Sequence, residues 1–257
     1  MVELRLLGPL DIVRDGEEAP ALIAHPKRLA LLAFLALTPP PGFRRRDSLV
    51  AIFWPELGDA HARAALRQAV HVIRRTLGDA LLVSRGSEEL GVDRRLLWCD
   101  AVAFAEDAAA GRYDDALALY VGPLLDGFFL SAAPQFEEWL EERRSSLGAL
   151  AARGAWSLAA NAARAGDGPL ALQWARRAFA FTPDDESALA RLLGILVDTG
   201  DRCGAIREYE RFARRLRRDY GIDPAPATAA VVRGTATGTP VMPRSENALT
   251  MDVRELR

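Results

Sequence analysis

The stretch ARAALRQAVHVIRRTLGD, Ala62 to Asp79, carries four arginines and a histidine, and no acid lies between Asp59 and Asp79. Placed on a helix at about 100° per residue, Leu66, Ala69, Val70, Ile73 and Leu77 form one apolar stripe. Arg63, Arg67, His71 and Arg74 fall together on a different face, flanked by Gln68 and Arg75. Guanidinium forks match phosphate oxygens and the acceptor edge of guanine, and a glutamine amide matches adenine, so this is the residue set of a helix that enters the major groove. Arg44, Arg45 and Arg46 stand just before the preceding helix, where contacts to phosphate, with Arg85 further on, would position such a helix without reading sequence. An arginine stripe taken alone is more simply a solvated surface. Its place in the chain argues otherwise.

That place is the third helix of a small module. ELRLL and LDIV alternate like strands on either side of Gly8-Pro9, predicting a hairpin over residues 2 to 14. A core helix follows in HPKRLALLAFLAL, opened by Pro26 and stopped by Pro39-Pro40-Pro41-Gly42. FRRRDSLVAIFWPE predicts a short helix with Asp47 as N-cap and Pro55 as its end. The arginine helix opens at Asp59 and closes at Gly78. Leu81 to Ser84 and Leu90 to Asp93, around RGSEE, predict a second hairpin. Hairpin, three helices, hairpin is the order of a winged helix.

From Trp98 the composition changes to Ala, Leu, Arg and acidic residues at helical spacing, with no strand expected. AGDGPLALQWARRAF and TGDRCGAIREYERFA align at an interval of 34, pairing Gly166 with Gly200, Ala171 with Ala205, Leu172 with Ile206 and Ala178 with Phe212. This is the tetratricopeptide period of two antiparallel helices per repeat. Gly111 and Ala116 repeat the spacing off register, so two or three helix pairs are expected. PQFEEWLEERRSSLGALAARGAWSLAANAARAG supplies a long or broken connecting helix. Trp139, Trp156 and Trp174 are expected in helix packing, and the arginines of FARRLRRDYG on a solvated face. The fold class is therefore mainly α with small β hairpins, a winged helix-turn-helix followed by all-α tetratricopeptide-like helical repeats. The domains expected are 1–97, 98–232 and a flexible tail or linker over 233–257, rich in Gly, Thr and Pro.

The 257 residues hold 33 basic and 35 acidic side chains, a net charge of −2. That excludes a general polycation and makes distribution the deciding quantity. Residues 1 to 97 hold 14 basic against 12 acidic, and the rest 19 against 23, so the anion-binding half is the N-terminal one. Cys99 and Cys203 are the two cysteines, which supports neither a disulfide framework nor a cysteine metal site. No signal peptide is legible, and the longest apolar run, Leu29 to Leu37, is too short to span a bilayer. A cytoplasmic protein without membrane contact is expected. The sequence lacks G-x-x-x-x-G-K-[ST], H-E-x-x-H and G-x-S-x-G, and His25, His61 and His71 form no constellation with paired carboxylates. No enzyme, catalytic residue, metal or cofactor is expected.

LRLLGPLDI, PKRLALLAFLAL, FRRRDSLVAIFWPE and ARAALRQAVHVIRRTLG resemble the OmpR-type winged-helix domain of the SARP family of bacterial transcriptional regulators. LWCDAVAFAEDAAAGRYDDALALYVGPLLDGFF and AIREYERFARRLRRDYGIDPAP are similar to the bacterial transcriptional activator domain that follows it. The resemblance covers some nine-tenths of the chain. It implies an activator that binds tandem direct repeats in promoter DNA, with Arg63, Arg67, Gln68, His71 and Arg74 in the major groove. It also implies a homodimer on DNA and contact with RNA polymerase, for which Trp54, Glu56 and Asp59 in the loop between the second and third helices are the candidates. The hairpin RGSEELGVD departs from the pattern by carrying Glu88 and Glu89 and no aromatic. The competing reading is a helical-repeat scaffold whose N-terminal module binds protein, which the near-neutral net charge and the acidic wing favour.

Overall fold

The computed structural model describes residues 1–39 and 42–233; most of the expected tail and the Pro40-Pro41 part of the helix stop lie outside them. Two compact units divide the chain between Leu147 and Gly148. This division differs from the boundary expected at residues 97/98, because the helices just beyond residue 98 pack with the N-terminal unit.

In the first unit, β1 (Val2–Arg5) and β2 (Asp11–Arg14) form the expected hairpin, with Val2 opposite Arg14 and Leu4 opposite Ile12. Val2, Leu4 and Ile12 are buried while Arg5 is exposed, the period of two that fixes the register. Gly8 has φ +100, a conformation that favours glycine. β3 (Glu17–Glu18) extends the sheet, and the short α1 (Pro20–Ile23) leads to α2 (Pro26–Ala36). Every residue of α2 from Leu29 to Ala36 is buried. β4 (Phe43–Arg45) then runs into α3 (Arg46–Phe53), which anchors itself through Leu49 and Phe53. Arg45, not Asp47, occupies the N-cap position; Asp47 lies in the first turn and makes no side-chain cap bond. Its carboxylate turns to Arg63 instead, at 3.1 Å.

α4 (Asp59–Leu77) carries the arginine face. β5 (Leu82–Arg85) and β6 (Glu89–Val92) are the second hairpin. They form a three-stranded sheet in the order β4-β6-β5, with Arg44 opposite Leu90 and Arg45 opposite Glu89. A side chain at Gly91 would put its Cβ 2.6 Å from the Gly42 carbonyl oxygen, so the central strand needs glycine where β4 approaches.

β7 (Leu97–Cys99) corrects the expectation of no strand from Trp98 onward. It pairs parallel with β1, Val2 beside Leu97 and Leu4 beside Cys99, and completes a sheet of order β3-β2-β1-β7. A parallel pair needs a crossover, and here the crossover is the winged-helix module itself. α5 (Asp100–Ala109) follows at once and packs on α6 (Tyr113–Leu119). Asp100, 5 % exposed, accepts hydrogen bonds from the backbone N–H of Leu6 (2.8 Å), Leu7 (2.9 Å) and Ala101 (2.7 Å). Burial pushes its carboxyl above the usual range, and those three N–H groups pull against the shift.

The Gly- and Phe-rich segment GPLLDGFFLSAAP, between α6 and the next helix, packs within the same unit. Leu124 bridges to Leu7, and the Leu125 N–H donates to the Leu6 carbonyl at 2.7 Å. Gly8 and Gly122 pass so closely that a Cβ on Gly122 would lie 3.0 Å from the Gly8 Cα. From α7 (Pro134–Arg164), Arg144 donates to the carbonyls of Leu124, Leu125 and Phe128. Phe136 and Trp139 of the same helix pack with Phe34 and Phe53. α7 is one helix of 31 residues.

The second unit holds α8 (Gly168–Phe181), α9 (Glu186–Asp198), α10 (Arg202–Tyr220) and α11 (Pro226–Arg233). The 34-residue register survives into the hydrogen bonds. Gly166 and Gly200 take φ of +79 and +82, and Asp167 and Asp201 cap α8 and α10 by accepting from Leu170 and Gly204. Ala171 and Ala205 are buried five residues after each glycine, and so is Ala116 after Gly111 in the first unit. Leu172 and Ile206 share the register without entering the core; Ile206 is exposed. Trp156 is buried beneath the Arg191 guanidinium, 4.0 Å from its ring centre.

Replacing Asp100 with Ala strands two buried backbone donors of the β1 end and one of α5, at about 1–3 kcal/mol for each group left without a partner. Urea unfolding of Asp100→Ala is expected to show a loss of several kcal/mol. A loss under about 1 kcal/mol would mean that water takes the carboxylate's place.

Candidate nucleic-acid interface

α4 is held along its buried face and at its C-terminal end. Ala62, Leu66, Ala69, Val70, Ile73 and Leu77 are all buried, the stripe expected from the sequence with Ala62 added. Burying a Val, Leu or Ile side chain contributes about 1.5–3 kcal/mol, so this face holds a helix whose opposite face is mostly charged. At its end, Gly78 caps the helix at φ +111 and the Arg14 Nη1 of β2 donates to the Thr76 carbonyl at 3.0 Å. A cation on the last turn satisfies an orphan carbonyl and opposes the negative end of the helix dipole. Arg14 is a positioning residue that sequence reasoning missed, because its partner lies 62 residues away.

The cationic face separates into three groups. Arg67, Gln68 and His71 are exposed, and their side chains make no hydrogen bond or ion pair among the described residues. Arg63 is exposed too, but shares its charge with Asp47. Arg74 is committed to the wing: its Nε and Nη2 donate to the Leu82 carbonyl at 3.1 and 2.6 Å, and Nη2 reaches Ser84 Oγ at 3.3 Å. Helix and hairpin are thereby joined by a charged side chain.

The other expected contacts are similarly unequal. Arg46 donates to Ser84 Oγ at 3.0 Å, and its guanidinium is held below its ordinary pKa first by burial and then by the charge of Arg74. Arg44 is half-buried, with its Nε 3.3 Å from Thr38 Oγ1 and its guanidinium over the Phe34 ring. Arg45 is exposed in β4, opposite Glu89. Arg85 pairs with Glu89, which it draws below the usual carboxylate range, and lies 4.8 Å from the Phe43 ring centre. The wing thus neutralises its own arginine.

Of the loop candidates, Trp54 is 6 % exposed and packs on Phe53, with Lys27 Nζ 5.8 Å from its ring centre. Glu56 accepts from Lys27 at 2.5 Å, which lowers its pKa, and Asp59 is exposed at the start of α4. A groove of about 340 Å³ runs between the start of α2 and α4, lined by His25, Lys27, Arg28, Trp54 and Gln68. Lys27 and Arg28 are cations beside the candidate face that sequence reasoning passed over, since they open an almost wholly apolar helix. Among the described residues no cluster of His, Cys, Asp and Glu is suited to a metal, and no helix is long and apolar enough to cross a membrane.

Because Trp54 is buried and the two acids are not, the three loop residues part on substitution. Trp54→Ala is expected to lose about 3–5 kcal/mol of stability in urea unfolding, and Glu56→Ala and Asp59→Ala less than about 1 kcal/mol each.

Comparisons with known proteins meet this geometry from outside. The family described as Bacterial transcriptional activator domain matches residues 100–234. The transcriptional regulatory protein MoaR1 of Mycobacterium tuberculosis is 29 % identical over 254 residues, covering 90 % of this chain and 78 % of MoaR1. The transcriptional regulatory protein EmbR of Mycobacterium bovis is 26 % identical over 264 residues, covering 90 % of this chain and 62 % of EmbR. The solved structure of Mycobacterium tuberculosis EmbR in complex with a low-affinity phosphopeptide superposes with a TM-score of 0.59 at 24 % identity, over 90 % of this chain and 64 % of that one, and so shares its fold. The chain spans less than two thirds of EmbR. With the activator domain matched over more than half of its length, the chain belongs to the bacterial transcriptional activator domain family and is a SARP-type transcriptional regulator.

Proposed function

We propose that the chain binds promoter DNA at tandem direct repeats by laying α4 in the major groove, and that it activates transcription by contacting RNA polymerase. The observation that carries this reading is the exposed trio Arg67, Gln68 and His71, which has no partner within the protein among the described residues. Donors without acceptors in the protein, on a helix whose other face is fixed in the core, are left open to an outside acceptor. Arg67 and Gln68 address guanine and adenine edges, His71 stands one turn on, and Arg63 joins them by exchanging Asp47 for DNA. Arg45, exposed at the end of β4, is the sequence-independent phosphate contact, with Arg44 and Arg85 more deeply engaged within the protein. Glu56 and Asp59 supply the acidic surface for polymerase, over a buried Trp54. Direct repeats call for two copies of the chain side by side, so a homodimer on DNA belongs to the same proposal.

The test is selection of bound fragments from the chain's own genome at two salt concentrations. Recovery of a direct repeat spaced by about one helical turn, surviving the higher salt, is the expected result. Binding that vanishes uniformly with salt would defeat sequence reading. On the recovered operator, Arg67→Ala is expected to cost about 1–3 kcal/mol of discrimination, whereas Arg45→Ala weakens all duplexes alike and flattens the salt slope by about one. Equal, sequence-independent losses from both variants would show that α4 does not read bases.

A further inference from the structure

Arg46, at the start of α3, and Arg74, near the end of α4, bring two guanidinium groups to one hydroxyl, that of Ser84 on the edge strand β5. A serine oxygen offers two lone pairs and one proton. The two arginines occupy the lone pairs, so the proton is left to donate, and it has no acceptor among the described residues. Both contacts are open to solvent. Among the described residues Glu88 acts on Arg46 through its field, without contact, while its backbone carbonyl holds the Arg46 N–H at 2.8 Å. Partial burial first, and then the like charge of Arg74, hold the Arg46 guanidinium below its ordinary pKa. Three donors therefore converge, two of them cationic, with no anion in contact.

We propose that Arg46, Arg74 and Ser84 form a single seat for one backbone phosphate of the DNA, at the junction of α4 and the wing, and that Arg74 serves this seat and not a base. The inference rests on the DNA-binding reading given above. Two guanidinium forks and a hydroxyl match the oxygens of a phosphodiester. Arg74 is already spent on the Leu82 carbonyl through two of its nitrogens, which fixes its guanidinium beside the wing and takes it out of the set that reaches base edges. The seat fixes the depth and rotation of α4 against the duplex without contributing to sequence choice. It also supplies the phosphate contact that Arg85, neutralised by Glu89, does not.

The test is Ser84→Asp in the full chain, which fills the seat with the protein's own carboxylate, set against Ser87→Asp, which adds the same charge in the wing turn outside the arginine pair. Binding is measured on a mixed-sequence duplex across a salt series, and thermal unfolding is followed for each variant. Ser84→Asp is expected to unfold no earlier than the native chain. It should lose at least about tenfold in affinity and flatten the salt slope by about 0.9, one phosphate's share. Ser87→Asp should lose far less. Arg46→Gln, which removes a guanidinium whose one side-chain hydrogen bond among the described residues is to Ser84, is expected to flatten the slope similarly even where Ser84→Asp disturbs folding. Equal losses from the two aspartates, or native-like binding by Ser84→Asp and Arg46→Gln, would overturn the seat while leaving DNA binding intact. A native chain with no salt-dependent affinity for duplex would remove the DNA reading itself, and the seat with it.

Discussion

A carboxylate that is 5 % exposed has to be met by donors, and Asp100 is met by the N–H groups of Leu6, Leu7 and Ala101. That requirement ties the end of β1 to the start of α5 across more than ninety residues of chain. β7 is short because it ends where this knot begins, and its parallel pairing with β1 needs the knot to hold two strands that no tight turn connects. Leu124 and Leu125 then close on Leu7 and Leu6, and Arg144 closes on their carbonyls. The N-terminal sheet is fixed in this way from one edge. From its other strands comes Arg14, whose hold on Thr76 sets the last turn of α4. The helix proposed to meet DNA thus has its last turn tied to the sheet whose inner strand β1 the buried Asp100 holds at its end.

Arginine is the commonest cation of this chain, and the structure uses it in opposite ways. On α10, Arg207, Arg211, Arg214, Arg215, Arg217 and Arg218 each have a carboxylate within 4 Å, supplied by Asp201, Glu208, Glu210, Asp184, Asp223 and Asp219. Exposed pairs of this kind contribute little stability, but they cancel the field of the helix. On α4 such cancellation is confined to Arg63. The difference between an arginine-rich solvated face and an arginine-rich binding face therefore lies in the acids around it. Two arginine-rich helices acquire unlike surfaces for this reason, α10 carrying Glu208, Glu210 and Asp219 within itself where α4 carries Asp59 alone.

The parts of the fold legible in the sequence are those governed by short-range periodicity. The stripe of α4 from Leu66 to Leu77, the apolar run of α2, the capping glycine at position 78 and the Gly-to-Ala spacing of the repeats all follow from one helix or one turn at a time. β4 and β7 escaped because strands of three residues are too short to show a period, and because β4 consists of Phe43 and two arginines. Asp47 reads as an N-cap by residue type, yet the chain enters α3 from a strand, which places the cap at Arg45 and leaves the acid to Arg63.

The candidate site was legible in composition and hidden in geometry for a related physical reason. Helical periodicity assigns Arg63, Arg67, His71 and Arg74 to one face, but a periodicity argument treats every position on that face as equally available. What separates them is contact with elements remote in sequence. The edge strand β5 reaches Arg74 and leaves Arg67 alone, because Leu82 turns its carbonyl outward only where the strand has no further neighbour. An unpaired carbonyl at a sheet edge attracts a cation, and the cation nearest in space belongs to the last turn of α4. The same edge exposes Ser84 one pleat further on, where Arg46 arrives from α3. One backbone group without a ladder partner thus turns the end of the arginine face toward the wing and divides it from the trio that remains open.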